Sequence, residues 1–181
     1  MYGRVARGLA LFWRDQRGNA TIEFVVLFPF IIYLIFSMAE AGVLMARTIS
    51  LDRGLDMAMR DIRLGITPDV THDDIKEMIC QQAFLLTNCN ESVLLELAPV
   101  ADVDSPGGAG FPTTPIQCID RTEEVDPVIS FDPGAEDQIM YVRACIVVDP
   151  LFPTSGLGAM LPKDASGGYA IIAKSAFINE P

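Results

Sequence analysis

Glu23 is the side chain in this 181-residue sequence whose chemistry fits its surroundings least. It stands in "RDQRGNATIEFVVLFPF" (residues 14–30), after a basic stretch ending in Gly18 and at the mouth of a long apolar run. An ionised glutamate in hydrocarbon costs several kcal/mol when nothing pairs with it. Its position therefore asks for a cation or a wet interface. Oxidative chemistry is the second possibility. Cys80, Cys89, Cys118 and Cys145 all follow the apolar run, and four cysteines suit two disulfides in an oxidising compartment. Four cysteines allow three connectivities. Cys80 and Cys89 are close in sequence and bracket the end of an expected helix, so the expected pairs are Cys80–Cys89 and Cys118–Cys145. On a chain-entropy estimate each closure contributes roughly 3–4 kcal/mol.

Other reactive residues lack a setting. No CxxC occurs, and His72, the one histidine, is near none of the cysteines, so no zinc site is expected. His72, Asp73, Asp74 and Glu77 resemble a ligand set on paper, but acids at a helix start are stabilising without a metal. Ser155 in "TSGLG" lacks the GxSxG frame, and "PGGAG" (106–110) lacks the strand, helix and lysine of a phosphate loop. Glu123 and Glu124 are a carboxylate pair of the kind any acidic surface carries. No enzymatic activity, cofactor or metal is expected.

These residues must be positioned by a small number of elements. From Phe24 to Ala46 there are 23 residues with one charge, Glu40. At about 1.5 Å per residue that is roughly 34 Å, enough to cross a bilayer once. Pro29 lies inside this run and removes one backbone donor. The helix is expected to continue well past the apolar run. Leu44, Leu51, Leu55, Ala58 and Ile62 recur at helical spacing, while Asp52, Asp56, Arg60 and Arg63 fall mostly off that stripe. Gly65 and Pro68 end it, so one helix is expected from about 20 to 64.

Thr71 is an N-cap candidate for a second helix reaching about Phe84. Then "SVLLELAPV" (92–100), "DQIMYVRACIVVD" (137–149) and "GYAIIAKSAFI" (168–178) read as strands. The Pro- and Gly-rich stretches between them read as long connections. Three strands with a long helix on one face give an α+β domain with an antiparallel sheet.

Charge is divided sharply. Residues 1–18 carry Arg4, Arg7, Arg14 and Arg17 against Asp15; without them 9 basic and 23 acidic residues remain, a net charge of −14. So acidic a surface argues against nucleic acid or anionic lipid as a partner. From the basic N-terminus and the cysteines, residues 1–18 are expected on the cytoplasmic side and the domain outside, although Arg47, Arg53, Arg60 and Arg63 follow the span, offset by Asp52, Asp56 and Asp61.

The pattern of residues 14–30 resembles the class III signal of type IV pilins and pseudopilins. In that signal a short basic leader ends in Gly, is cut immediately after it, and has Glu at the fifth mature position. Here Gly18 matches the last leader residue, Asn19 the first mature one and Glu23 the fifth. "RGNATIEFVVLFPFIIYLIF" further resembles the TadE-like and TadF-like proteins of tight-adherence (Flp) pilus systems, and "AFINEP" at the C-terminus fits the TadE-like branch. The resemblance implies three parts: a leader (1–18), a transmembrane and assembly helix (19–64) and an external domain (65–181). It implies a minor pilin or pseudopilin of the bacterial inner membrane that contributes to pilus assembly and surface adhesion. A prepilin peptidase would process it, and other pilins and the assembly platform would be its partners, either in the membrane or in the pilus.

Two other arrangements suit the same residues. Ala39-Glu40-Ala41 before Gly42 has the A-x-A form of a secretory cleavage site. The span can also be an uncleaved anchor for a periplasmic binding domain. The mature N-terminal residue separates the three.

Overall fold

The computed structural model describes residues 19–64, 70–100, 116–119, 121, 131–132, 134 and 137–178. Gly18, Glu123, Glu124 and the "PGGAG" stretch lie outside them. One helix, α1, covers Asn19–Arg63, 45 residues with Pro29 inside it. Its two halves meet different surroundings. From Thr21 to Ile35 every residue but Ile32 is exposed, although nearly all are apolar. A helix satisfies its own backbone hydrogen bonds, and this half is long and apolar enough to enter a membrane.

The second half of α1 is amphipathic. Leu51, Leu55, Ala58 and Met59 are buried, with Leu44 and Ile62 packed against the same core. Asp52, Arg53, Asp56 and Arg60 face outward. Gly54 is buried for a packing reason. A Cβ there would stand 2.6 Å from the backbone oxygen of Ile79, so the missing side chain lets the next helix lie close.

That helix, α2, covers His72–Gln82. Its start is a reciprocal capping box. The Asp74 amide donates to Thr71 Oγ1 at 3.3 Å, and the Thr71 amide donates to Asp74 Oδ2 at 3.0 Å. The Thr71 hydroxyl, which donates to Asp74 Oδ2 at 2.6 Å, and the Thr71 amide together hold the Asp74 carboxyl below its ordinary range. Ile75 and Ile79 are its buried face. A single turn, α3 (Cys89–Ser92), leads into the sheet.

The sheet has three strands, β1 (Val93–Pro99), β2 (Ile139–Val148) and β3 (Tyr169–Ile178), in the order β1-β2-β3, all antiparallel. The register places Leu95, Ala144 and Ala173 in one row, and Val93, Ile146 and Ile171 in the next. Every second residue points to one face. The face carrying Leu95, Val142, Ala144, Ile146 and Ile171 packs on α1 and α2 and forms the core. This is the α+β architecture with an antiparallel sheet and a long helix on one face.

The opposite face holds Glu96, Arg143 and Cys145. Arg143 is only 4 % exposed. Its Nε donates to Glu96 Oε2 at 2.7 Å, directly across the strand pair. Segment 116–119 covers this face through the Cys118–Cys145 disulfide, and Cys80–Cys89 ties the end of α2 to α3. Each bridge removes loop freedom from the unfolded chain, worth about 3 kcal/mol for loops of this order. A short helix, α4 (Gly156–Met160), lies in the connection from β2 to β3.

Candidate functional site

The residues singled out by their chemistry do not converge on one place. Asn19 opens α1 as described, and Glu23 lies on its exposed half. His72 sits at the start of α2, where one ring nitrogen lies 3.3 Å from the Leu95 carbonyl oxygen. Its ring also meets Phe131 edge-on at 5.3 Å. Asp73 and Asp74 occupy the first turn of α2, with Asp74 engaged in the cap. Among the described residues no group of three or more His, Cys, Asp or Glu could hold a metal ion. Ser155 precedes α4 as its N-cap and makes no side-chain capping bond.

The polar site that the fold builds lies elsewhere, around Glu40. As the one charge in the apolar run, it was legible as an oddity; as a buried group it was not. Glu40 is 0 % exposed. Its Oε1 accepts from the Leu151 amide at 3.1 Å and its Oε2 from the Phe152 amide at 2.8 Å. Among the described residues two backbone donors, not a cation, satisfy the carboxylate. Charge-assisted bonds of this kind are about twice as strong as neutral ones.

The connection from β2 to β3 is shaped to deliver those donors. Phe152 stacks on Phe36 of α1 with ring centroids 4.6 Å apart. Gly156 has φ +57°, and a Cβ there would stand 2.6 Å from Ser37 Oγ. A Cβ at Gly158 would stand 2.4 Å from the Phe152 carbonyl oxygen and 3.2 Å from Glu40 Oε2. Only glycine lets the loop backbone come this near to α1 while holding that turn.

A second set of bonds fixes the base of the loop. Arg47 of α1 donates to the Asp149 carbonyl at 2.7 Å and to the Tyr169 hydroxyl at 3.2 Å. Arg121 makes a two-pronged contact with the Asp149 carboxylate, at 3.0 and 2.7 Å, and also donates to Ser166 Oγ. The hydrogen bond from Arg121 holds the Asp149 carboxyl below its ordinary range, and partial burial works against that shift. Asp164 Oδ1 accepts from the amides of Ser166 and Gly168, both at 3.0 Å, and so closes the turn into β3. Lys163 reaches back to the Pro153 carbonyl at 2.6 Å.

Among the described residues the clasp brings together a carboxylate and two backbone amides. What it does is mechanical: it ties the sheet domain to α1 at the level where the exposed apolar half ends. Searches against family models, curated proteins and solved structures return no match to this chain.

Gly158→Val is expected to detach the loop. Its side chain collides with backbone, and overpacking of this kind costs about 1–3 kcal/mol. Native-state trypsin digestion should then cut after Lys163 faster than in the wild type. Gly42→Ala is the control, since nothing lies within 4 Å of a Cβ there. Equal cleavage of Gly158→Val and wild type would contradict the clasp.

Proposed function

We propose that this chain is a minor pilin or pseudopilin of a tight-adherence (Flp) pilus, cut after Gly18 and working in pilus assembly and surface adhesion. The observation that carries this reading is the order of Gly18, Asn19 and Glu23 at the head of α1. That one helix is exposed and apolar in its first half and domain core in its second. A subunit of this form offers a lateral apolar helix to neighbours while its domain stays outside. The two disulfides favour a periplasmic domain, because such bonds persist in oxidising compartments. The resulting topology is one pass through the inner membrane with the N-terminus cytoplasmic.

The place of Glu40 weighs against a secretory cut after Ala41. That cut would remove the carboxylate from the Leu151 and Phe152 amides and Phe36 from Phe152. It would also strip the partners from two part-buried amides, each of which loses a charge-assisted hydrogen bond.

Glu23 acquires a role through cleavage. The cut after Gly18 creates an ammonium on Asn19, four residues before Glu23 and so about one helical turn away. The amine of a neighbouring subunit offers the same charge. A pair in low dielectric favours the one depth at which the two groups meet. Glu23 is then a gauge of how deeply each subunit sits.

Intact-mass and N-terminal analysis of the protein from its native membrane tests the reading. Asn19 is the expected first residue. Gly42 contradicts it in favour of secretion, and Met1 in favour of a plain anchor. Glu23→Ala is expected to be cut and inserted normally. Its recovery in crosslinked assemblies should fall by at least about tenfold, the factor that 1.4 kcal/mol supplies. Wild-type recovery would leave the glutamate without this role.

A further inference from the structure

The clasp around Glu40 has a level in the membrane as well as a place in the fold. From Glu23 to Glu40 is 17 residues of helix, about 26 Å at 1.5 Å each. A bilayer's hydrocarbon core is about 30 Å thick. With Glu23 at one boundary, Glu40 lies at or inside the other. The loop makes its first contact with α1 even earlier, at Phe36. The stretch before that contact, Phe24 to Ile35, is 12 residues, about 18 Å, too short to fill the core alone.

The loop has the composition that such a level demands. Pro150–Pro162, "PLFPTSGLGAMLP", is 13 residues without a charge, in a chain that is strongly acidic beyond its first 18 residues. Met160 is 75 % exposed and Leu151 49 % exposed. Both belong to the segment that seats on α1 at Phe36, Ser37 and Glu40, within the apolar run. Lys163 and Asp164 mark the return of charge at the loop's end. A lysine at that boundary is the residue type that interfaces favour.

We propose that residues 150–162 are a second membrane-contacting element, seated in the bilayer interface beside the span with Leu151 and Met160 toward lipid. The occupant of this surface is the bilayer itself, because the uncharged loop seats on α1 at Phe36 and Glu40, within the length of helix that a bilayer core covers. The loop thereby covers Glu40 on the side of α1 where it would otherwise meet lipid. This proposal rests on the reading of α1 as a membrane span.

Trp13 is the sole tryptophan, so a Trp13→Phe background lets single probes be placed in the full chain. Met160→Trp probes the loop, Tyr33→Trp the span and Leu64→Trp the far end of the helix. Leu64 is 24 residues beyond Glu40, about 36 Å along the helix. Each protein is reconstituted in phosphatidylcholine vesicles with and without dibrominated acyl chains. The expected result is blue-shifted, strongly quenched emission from Met160→Trp and Tyr33→Trp, and unquenched emission from Leu64→Trp. If Tyr33→Trp is quenched while Met160→Trp behaves like Leu64→Trp, the loop proposal is overturned and the span stands. An unquenched Tyr33→Trp overturns both. Quenching at all three positions also overturns the proposal, since the whole domain would then lie on lipid.

Discussion

One helix must serve two surroundings, and the change from one to the other falls at a buried carboxylate. Above Glu40, α1 needs a polar outer face and an apolar stripe against the sheet. Before it, from Phe24 to Ala39, α1 carries no charge on any side. Glu40 itself belongs to neither half, and it is held only because the loop before α4 turns two backbone amides toward it. Because a buried carboxylate without donors is costly, the domain is bound to α1 at one height and one rotation. The buried stripe of Leu51, Leu55 and Ala58 and the close approach at Gly54 set the same placement farther along the helix.

The neighbouring details follow from that placement. Gly156 and Gly158 are needed because the loop backbone must come within contact distance of Ser37 and Glu40. Arg47 and Arg121 fix the base of the loop through Asp149. On the sheet's other face, Arg143 and Glu96 pair across the strands, and the Cys118–Cys145 bridge ties segment 116–119 over them. Gly54 performs the same service for α2 that Gly158 does for the loop, admitting a backbone where a side chain would stand. The domain is thus held to α1 at three levels: through α2 near Gly54, through β3 in the middle and through α4 at the end nearest the exposed apolar half.

The long helix, the second helix and the three strands were legible because each has a strong local pattern. Leu51, Leu55 and Ala58 repeat at helical spacing, and the three strands are rich in Val, Ile, Tyr and Phe between turn residues. The two single-turn helices α3 and α4 were not legible, since four or five residues give no period to read. The Glu40 clasp was invisible for a different reason. Its donors are main-chain amides 111 and 112 residues away, and an amide has no residue type to recognise. In the sequence, Ala39-Glu40-Ala41 reads as a cleavage site and residues 149–168 as a plain connection. The two hints available were a lone charge in an apolar run and an uncharged loop in an acidic domain, and neither points to the other.

Amide hydrogen exchange resolved at Leu151 and Phe152, with the protein in lipid nanodiscs, measures the Glu40 contact directly. In the wild type both amides should exchange slowly. In Glu40→Ala both should speed up by at least about tenfold, the change that 1.4 kcal/mol produces, while Ala144 and Ile146 in β2 keep their protection. Rapid exchange at Leu151 and Phe152 in the wild type, or unchanged exchange in Glu40→Ala, would contradict the account.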